Sequence, residues 1–244
     1  MNVTVIGEYC IDVFVYGDVN RLSPEAPVPV FLPRETTENP GMAGNVVENI
    51  LAIKPDCRII KYHQSNPIKK TRYVDRKSNH MFMRVDQNDF AESFNMNISK
   101  TNSISNSDIV IVSDYNKGFL SNEDLLKIGQ SSKLSILDSK KKISDDVVNS
   151  FTFVKMNSNE FQQNSHLTNI ENVIVTLGSD GCRFRNEIYK SPSPKETIDV
   201  SGAGDTFTAS FILKYYETKN VSESINFANN MASIVVSKRG VTTP

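Results

Sequence analysis

"DVSGAGDTFTASF", residues 199–211, is the stretch from which the rest of the chain is read. A glycine-rich turn that opens a helix presents N–H groups at the positive end of the helix dipole, a place suited to anions. A carboxylate, Asp205, directly follows that turn, and a loop meant only to hold phosphate would not put a negative charge there. Both features fit if the amides stabilise charge on a transferring phosphoryl group while the carboxylate takes the proton of an alcohol. On that reading Asp205 is the candidate base, and Gly202, Ala203 and Gly204 form the anion hole. The reaction is ATP-dependent phosphorylation of an alcohol, and the dipole is expected to favour the ionised carboxylate. The same string also reads as a plain turn with an acidic first helical turn, since short glycine motifs often match by chance. It is not a P-loop, because no Gly-Lys-Ser/Thr follows.

Upstream, short β-branched runs alternate with helical patterns. "VTVIG" (3–7), "CRIIKY" (57–62), "DIVIVSD" (108–114), "LSILD" (134–138), "FTFVKM" (151–156) and "NVIVTLG" (172–178) are nearly continuous in apolar residues, as strands covered on both faces should be. Helices are expected at 44–53, 121–131, 144–150 and 157–163, with Ser121 and Asp124 in a capping box. A further helix follows the glycine turn, and a last one starts at a Ser222 cap and ends at Gly240. The alternation predicts an α/β fold, a three-layer α/β/α sandwich on a parallel sheet, in a single domain spanning 1–244.

Two regions break the rhythm. Residues 12–33 are strand-like but carry Pro24, Pro27, Pro29 and Pro33, which suits edge strands or a flap. Residues 70–86 read as a hairpin turning near Ser78-Asn79. Together they predict a small β-sheet lid outside the main core. The Asn/Ser-rich segment 93–107 reads as a mixture of surface helix and loop.

Composition narrows the function classes. Hydrophobic residues make up 39% and charged residues 23% of the 244, an ordinary globular balance, and a net charge of -1 gives no electrostatic case for nucleic acid or an anionic membrane. Cys10, Cys57 and Cys182 are scattered, as are His63, His80 and His166, so neither a disulfide frame nor a histidine metal site is expected. The apolar N-terminus lacks a basic start and is interrupted by Glu8 and Asp12, and no apolar run reaches 18 residues. The expectation is a cytoplasmic protein without a membrane segment.

Four segments, taken in order, resemble the ribokinase/PfkB carbohydrate kinases. "DVSGAGDTF" is similar to their C-terminal signature, "PGMAGNVVENI" (40–50) to their N-terminal one, "VKMNSNEF" (154–161) to their Asn-x-x-Glu segment, and "VTLGSDG" (175–181) to their nucleotide-side strand and turn. Within the family, "RLSPEAPVPVF" (21–31), "TRYVDR", "MRVD" and "VSDYNKG" resemble the branch that phosphorylates D-glycero-D-manno-heptose 7-phosphate at the anomeric hydroxyl. The last residues, "SKRGVTTP", fall about where a kinase domain of that branch ends, so no second catalytic domain is expected.

The resemblance implies a ribokinase-like fold, ATP and Mg²⁺ as cofactors, a small-molecule sugar phosphate as partner, and a homodimer through the β lid. It implies Asp205 as base and places Asp12, Gly41, Asn45, Asp114 and Lys140 on the substrate side. Thr176, Gly178, Gly181 and Asn229 fall on the nucleotide side, and Asn157 and Glu160 near Mg²⁺, acting through water. Arg72, Arg76 and Arg84 are candidates for the sugar phosphate, because guanidinium forks fit its oxygens. Plainer readings stand beside these. Asp12 also suits a turn cap, Lys140 belongs to a charged run at 140–142, Asn157 suits a helix cap with Glu160 as partner, and the three arginines suit a solvated hairpin. A different sugar or nucleoside kinase, and a non-catalytic nucleotide- or sugar-binding homologue, are the rival functions.

Three departures from the family pattern stand out. Met42 replaces an expected second glycine, which is expected to narrow the pocket or stiffen the lid. Ser139 replaces a proline. Between the helix near 45–53 and the hairpin near 70, only "KPDCRIIKYHQSNPI" stands where the family carries a further helix and strand.

Overall fold

A computed structural model describes residues 1–168, 170–192, 200–238 and 240–244 of the chain. Asp199, at the head of the glycine motif, and Arg239, within the C-terminal stretch, lie outside the described residues. The strand-rich runs form β1 (Asn2–Gly7), β2 (Tyr9–Leu22), β3 (Pro29–Met42), β4 (Arg58–Tyr62), β5 (Ile68–Asp75), β6 (Met81–Gln87), β7 (Ile109–Asp114), β8 (Ser135–Ser139), β9 (Phe153–Asn157), β10 (Val173–Thr176), β11 (Cys182–Phe184) and β12 (Glu187–Tyr189). The helices are α1 (Ala43–Ile53), α2 (Ile98–Ser105), α3 (Asn122–Ser131), α4 (Asp145–Ser150), α5 (Ser158–Gln163), α6 (Ala203–Thr218) and α7 (Val221–Val236).

The main sheet runs β12-β11-β10-β9-β8-β7-β1-β4. Six strands from β10 to β4 are parallel, while β11 and β12 return antiparallel. The expectation of a parallel sheet is therefore corrected at one end. The segment 182–189 is too short and too polar to be read as a hairpin from its own sequence.

Period-two alternation divides the core. Val3, Val5, Ile109, Ile111, Ile136 and Ile174 pack on the side of α1, α6 and α7 with Phe207, Phe211 and Ile225. Ile6, Val110, Val112, Leu137, Val154 and Val175 pack on the other side with Leu125, Ile128, Val147 and Val148 of α3 and α4. Each such side chain taken out of water contributes about 1.5–3 kcal/mol, so the two-sided burial fixes the layers.

Capping chemistry sets the helix starts. Ser121 and Asp124 form a capping box at α3, and Asn157 and Glu160 form another at α5. The last helix is capped by Asn220, whose side chain accepts from the Glu223 amide, and not by Ser222. Ser222 Oγ instead meets Tyr189 Oη at 2.9 Å. That helix ends at Val236, before Gly240, which sits at φ 70.

The second sheet runs β3-β2-β5-β6. Two antiparallel hairpins are joined through a parallel β2–β5 pair, over longer spans than 12–33 and 70–86. The short passage expected after α1 leaves β4 as the edge of the main sheet, from which the chain enters β5 within five residues. The carboxyl ends of β1, β7, β8, β9 and β10 face the start of α6, the crevice position where open α/β sheets bind ligands.

Candidate active site

Gly202 caps α6 in the left-handed region, at φ 81. A Cβ there would also lie 2.7 Å from Asn45 Nδ2, so both conformation and space require glycine. Asp205 occupies the first turn and is 4% exposed. Both of its oxygens are engaged: Asn45 Nδ2 donates to Oδ2 at 2.8 Å, and Tyr115 Oη donates to Oδ1 at 3.0 Å. The expected gain from the helix dipole does not prevail. Burial comes first and, with the nearby Asp138 carboxylate adding to it, lifts Asp205 to about 6 despite the opposing Asn45, Lys155 and Tyr115. A carboxylate held near 6 is a stronger base than an ordinary one and still ionised at neutral pH. The Ala203 amide closes a long turn bond to Val200 O at 3.4 Å, which has to yield before that amide can serve an anion.

Asn45 is on the base itself, not free toward a substrate. Asn49 Nδ2 fixes it through its backbone carbonyl at 2.8 Å and its Oδ1 at 3.1 Å. Gly41 makes room for Asp12, since a Cβ would stand 2.0 Å from Asp12 Oδ2. Met42, the residue in place of a glycine, keeps a glycine-like φ of 55 at the start of α1. Such a conformation costs of order 1–3 kcal/mol. Its side chain is buried against Cys10 and Ile68, which offsets the strain, and Tyr115 packs on that cluster.

The register of the second sheet places Asp12 beside Lys70, Phe14 beside Arg72, and Arg72 opposite Arg84. These residues share one face. Arg72 Nη1 pairs with Asp12 Oδ1 at 2.5 Å, and its guanidinium lies 5.0 Å from the Phe14 ring. A cleft of about 230 Å³ opens there, lined by Phe14, Tyr16, Arg72, Ser201 and Gly240 among others. Arg84 pairs with Asp86 at 2.8 Å on the same face. Arg76 differs: it lies beyond the end of β5, bound to Asp18 at 2.9 Å, away from this cleft. Of the three arginines, Arg72 lines this cleft, while Arg76 and Arg84 are outside its lining and are paired with Asp18 and Asp86.

Asp205 itself, with the 202–204 turn, lines a larger cavity of about 520 Å³. Thr176, Gly178, Gly181 and Asn229, the residues the resemblance puts on the nucleotide side, all line it, and Val200, Phe207, Ala232 and Val236 supply an apolar wall. Lys140 also lines it and pairs with Glu160 at 2.5 Å. The solvated-face reading of 140–142 thus fails for Lys140 and for Lys141, which pairs with buried Asp114 at 3.2 Å. Asp114 itself is corrected. It is fully buried beneath the loop, accepting from Ser139 Oγ at 2.6 Å and the Asn116 amide at 3.1 Å, and does not line the cavity.

Sequence reading missed Asp138, Lys155, Tyr115 and Glu8. Lys155 and Asp138 form a buried pair at 2.8 Å that lines the cavity. Burial works to raise the Asp138 carboxyl, yet Lys155 and Lys140 outweigh it and hold it below the usual range. The available signal was a charge at the end of an otherwise apolar strand, as in "LSILD" and "FTFVKM". Glu8 follows β1 and is fully buried, and it accepts from the amides of Tyr115 at 2.8 Å and Lys117 at 2.9 Å.

Comparison with known proteins agrees with this geometry. The family described as pfkB family carbohydrate kinase matches residues 130–244. The bifunctional protein HldE of Helicobacter pylori strain J99 is 31% identical over 294 aligned residues, covering 98% of this chain and 63% of the relative. That of Nitratiruptor is 29% identical, covering 99% of this chain and 62% of the relative. The chain thus spans less than two thirds of these relatives. The 294-residue alignment exceeds its own 244, so the relatives carry segments it lacks. Among solved structures, Arabidopsis thaliana ribokinase complexed with ribose and ATP superposes with a TM-score of 0.71 at 16% identity, over 98% of this chain and 93% of that one. Thermotoga maritima ribokinase gives 0.72 at 19%, over 98% and 94%. With its ribokinase-like fold and an acidic residue set behind a glycine turn at a helix start, the chain is similar to the pfkB family carbohydrate kinases over residues 130–244.

Proposed function

We propose that the protein transfers the γ-phosphoryl group of ATP to a hydroxyl of a sugar phosphate, with C1 of D-glycero-D-manno-heptose 7-phosphate as the acceptor. The observation that carries this is that Asp205 lines one cleft while Ser201 of the same glycine turn lines a second, unlike one. One is large and partly apolar, suited to a nucleotide, and the other is roofed by Arg72 on a face shared with Arg84 and Lys70. A neutral sugar needs no such basic face, while a phosphorylated one is drawn to it. The segments "RLSPEAPVPVF" and "VSDYNKG" support the heptose in particular.

On this reading ATP lies along Thr176, Gly178, Gly181 and Asn229, with Lys140 and Lys155 at its phosphates. The amides of the 202–204 turn receive the charge that develops on the γ-phosphoryl group. Asp205 takes the proton of the acceptor hydroxyl as the O–P bond forms and ADP departs.

Among the described residues no group of three or more His, Cys, Asp or Glu stands ready to hold a metal. Asn157 and Glu160 contribute one amide and one carboxylate, engaged with each other at 2.7 Å and with Lys140. That donor set fits an ion held mainly by phosphates and water, so both residues would contact Mg²⁺ through water. When bound with ATP, Mg²⁺ shields the phosphate charge.

The second sheet acts as a lid that excludes water. Its exposed Leu32, Phe82 and Met83 are the proposed contacts of a homodimer. No helix among the described residues is long and apolar enough to cross a membrane, and the cytoplasm is the proposed location.

The deciding assay is ATP-dependent phosphorylation of D-glycero-D-manno-heptose 7-phosphate, with fructose phosphates and ribose alongside. Selective turnover of the heptose supports the reading. Turnover of another sugar keeps the base and discards the heptose. ATP binding without transfer to any sugar favours a binding protein. Arg72→Met is expected to raise KM for the sugar phosphate roughly tenfold to a hundredfold, the worth of one charge-assisted hydrogen bond, while KM for ATP stays close to wild type. An equal rise in both constants would remove Arg72 from the acceptor side.

A further inference from the structure

A base that has to receive an alcohol is shut in this structure. Asp205 is 4% exposed, and each oxygen already accepts a hydrogen bond. Each oxygen keeps a second lone pair, but with the carboxyl so deeply buried an alcohol reaches it only where one of the two donors gives way. Asn45 is a poor candidate, because it sits on α1 and Asn49 grips it at two points. Tyr115 is different. It follows β7 on a loop, and Glu8 holds that loop by backbone amides at Tyr115 and Lys117, not by side chains. The phenol can turn about its side-chain bonds while its backbone stays fixed. Its ring rests on the Cys10–Met42–Ile68 cluster, with the Lys140 ammonium 5.3 Å from the ring centroid. The ring also lines the larger cavity, beside the expected path of the transferring group.

We propose that Tyr115 is a positioning residue that keeps the acceptor's place on Asp205 Oδ1 until the sugar hydroxyl displaces it. The inference rests on the reading of Asp205 as the base of a kinase. Before the sugar arrives, the phenolic O–H occupies the approach to the oxygen that would otherwise activate a water, so bound ATP is not hydrolysed. The phenol keeps its own proton, since burial and the Asp205 carboxylate both push its ionisation well above the ordinary range. When the sugar hydroxyl takes over Oδ1, the carboxylate is already oriented by Asn45 from the other side. Met42 then gains a role: with Cys10 and Ile68 it forms the apolar rest for the ring, which a glycine could not supply.

The test is ADP release from MgATP, measured with and without sugar, for wild type, Tyr115→Phe, Asp205→Asn and the double variant. Phe keeps the ring and its packing, and Tyr115→Leu serves as a second variant if Phe perturbs folding. Tyr115→Phe is expected to raise sugar-independent ADP release about tenfold, as one charge-assisted hydrogen bond ceases to compete with water. With sugar present, ADP should exceed phosphorylated sugar. Adding Asp205→Asn should abolish the excess, which a merely loosened fold would not do. Wild-type transfer to sugar with no excess ADP from Tyr115→Phe or Tyr115→Leu overturns the inference and leaves the kinase reading standing. No transfer to any sugar by wild type, and ADP release unmoved by every variant, overturns both.

Discussion

Asp205→Asn is expected to lower turnover by about 10²–10⁴ while ATP binding is retained, the loss typical of removing a positioned general base. The amide keeps the shape and can still meet Tyr115 and Asn45, but it cannot take a proton. The pH dependence follows from the same carboxylate. Burial and Asp138 hold Asp205 at about 6, so kcat/KM should fall tenfold per unit as pH drops below that value. The residual rate of the Asn variant should lack that limb, which separates Asp205 from ionisation of the phosphorylated substrates. Stability moves the opposite way. The native state keeps the Asp205 proton up to about 6, whereas the unfolded chain releases it near the ordinary value of 3.8. The native state therefore binds more protons across that window, and this group's contribution to stability falls as pH rises through it. Asp205→Asn removes that penalty and should raise stability at pH 7–8 by on the order of 3 kcal/mol, read as a higher melting temperature, with a smaller gain near pH 4. A variant that loses activity and stability together at neutral pH would contradict the assignment.

Much of the fold was legible because it rests on local rules. Continuous apolar runs marked every parallel strand of the main sheet, and Ser121 and Asn157 announced α3 and α5 through their capping boxes. What escaped was long-range. The β11–β12 hairpin is specified by pairing with β10, not by its own composition. The prolines at 24, 27, 29 and 33 signalled an edge, but nothing local says that β2 pairs with β5 in parallel. That pairing sets Arg72 beside Phe14 at the cleft, while Arg76 and Arg84, outside its lining, are tied to Asp18 and Asp86.

The candidate site divides the same way. Asp205 and the 202–204 turn are contiguous and were read directly. Asp114, which the resemblance placed on the substrate side, is fully buried, with Ser139 and Lys141 holding it below the loop. Glu8 was visible only as an interruption in an apolar run, although it shapes the loop carrying Tyr115. For Asn157 a cap and a place at the cavity are not alternatives, since it lines the cavity while the box that starts α5 fixes Glu160 against Lys140.

Lys155→Met is expected to destabilise the protein by about 3–5 kcal/mol, because it strands a buried charge. Lys155 is 3% exposed, and its ammonium donates to Asp138 Oδ2 at 2.8 Å in a cavity wall shared with the first turn of α6. Without it, Asp138 keeps a long bond from Thr208 at 3.4 Å and the Lys140 ammonium at 3.7 Å. Neither replaces the lost contact, so Asp138 is pushed toward protonation. In a chain of this size each kcal/mol is worth roughly 2–4 °C, so thermal unfolding should shift by about 6–20 °C. The double variant Asp138→Asn/Lys155→Met removes both charges and should recover most of that loss, because a buried pair contributes little beyond its own desolvation. Activity should not recover with it. The double variant would still lack the ammonium beside the 202–204 turn, where a Cβ on Gly204 would sit 3.1 Å from Lys155 Nζ and where, on the proposed reading, phosphoryl charge develops. Unfolding curves for the two single variants and the double, closed as a thermodynamic cycle, separate charge from shape. If the double is as unstable as Lys155→Met alone, the loss comes from packing around the lysine stem, and the pair has no electrostatic part in the fold.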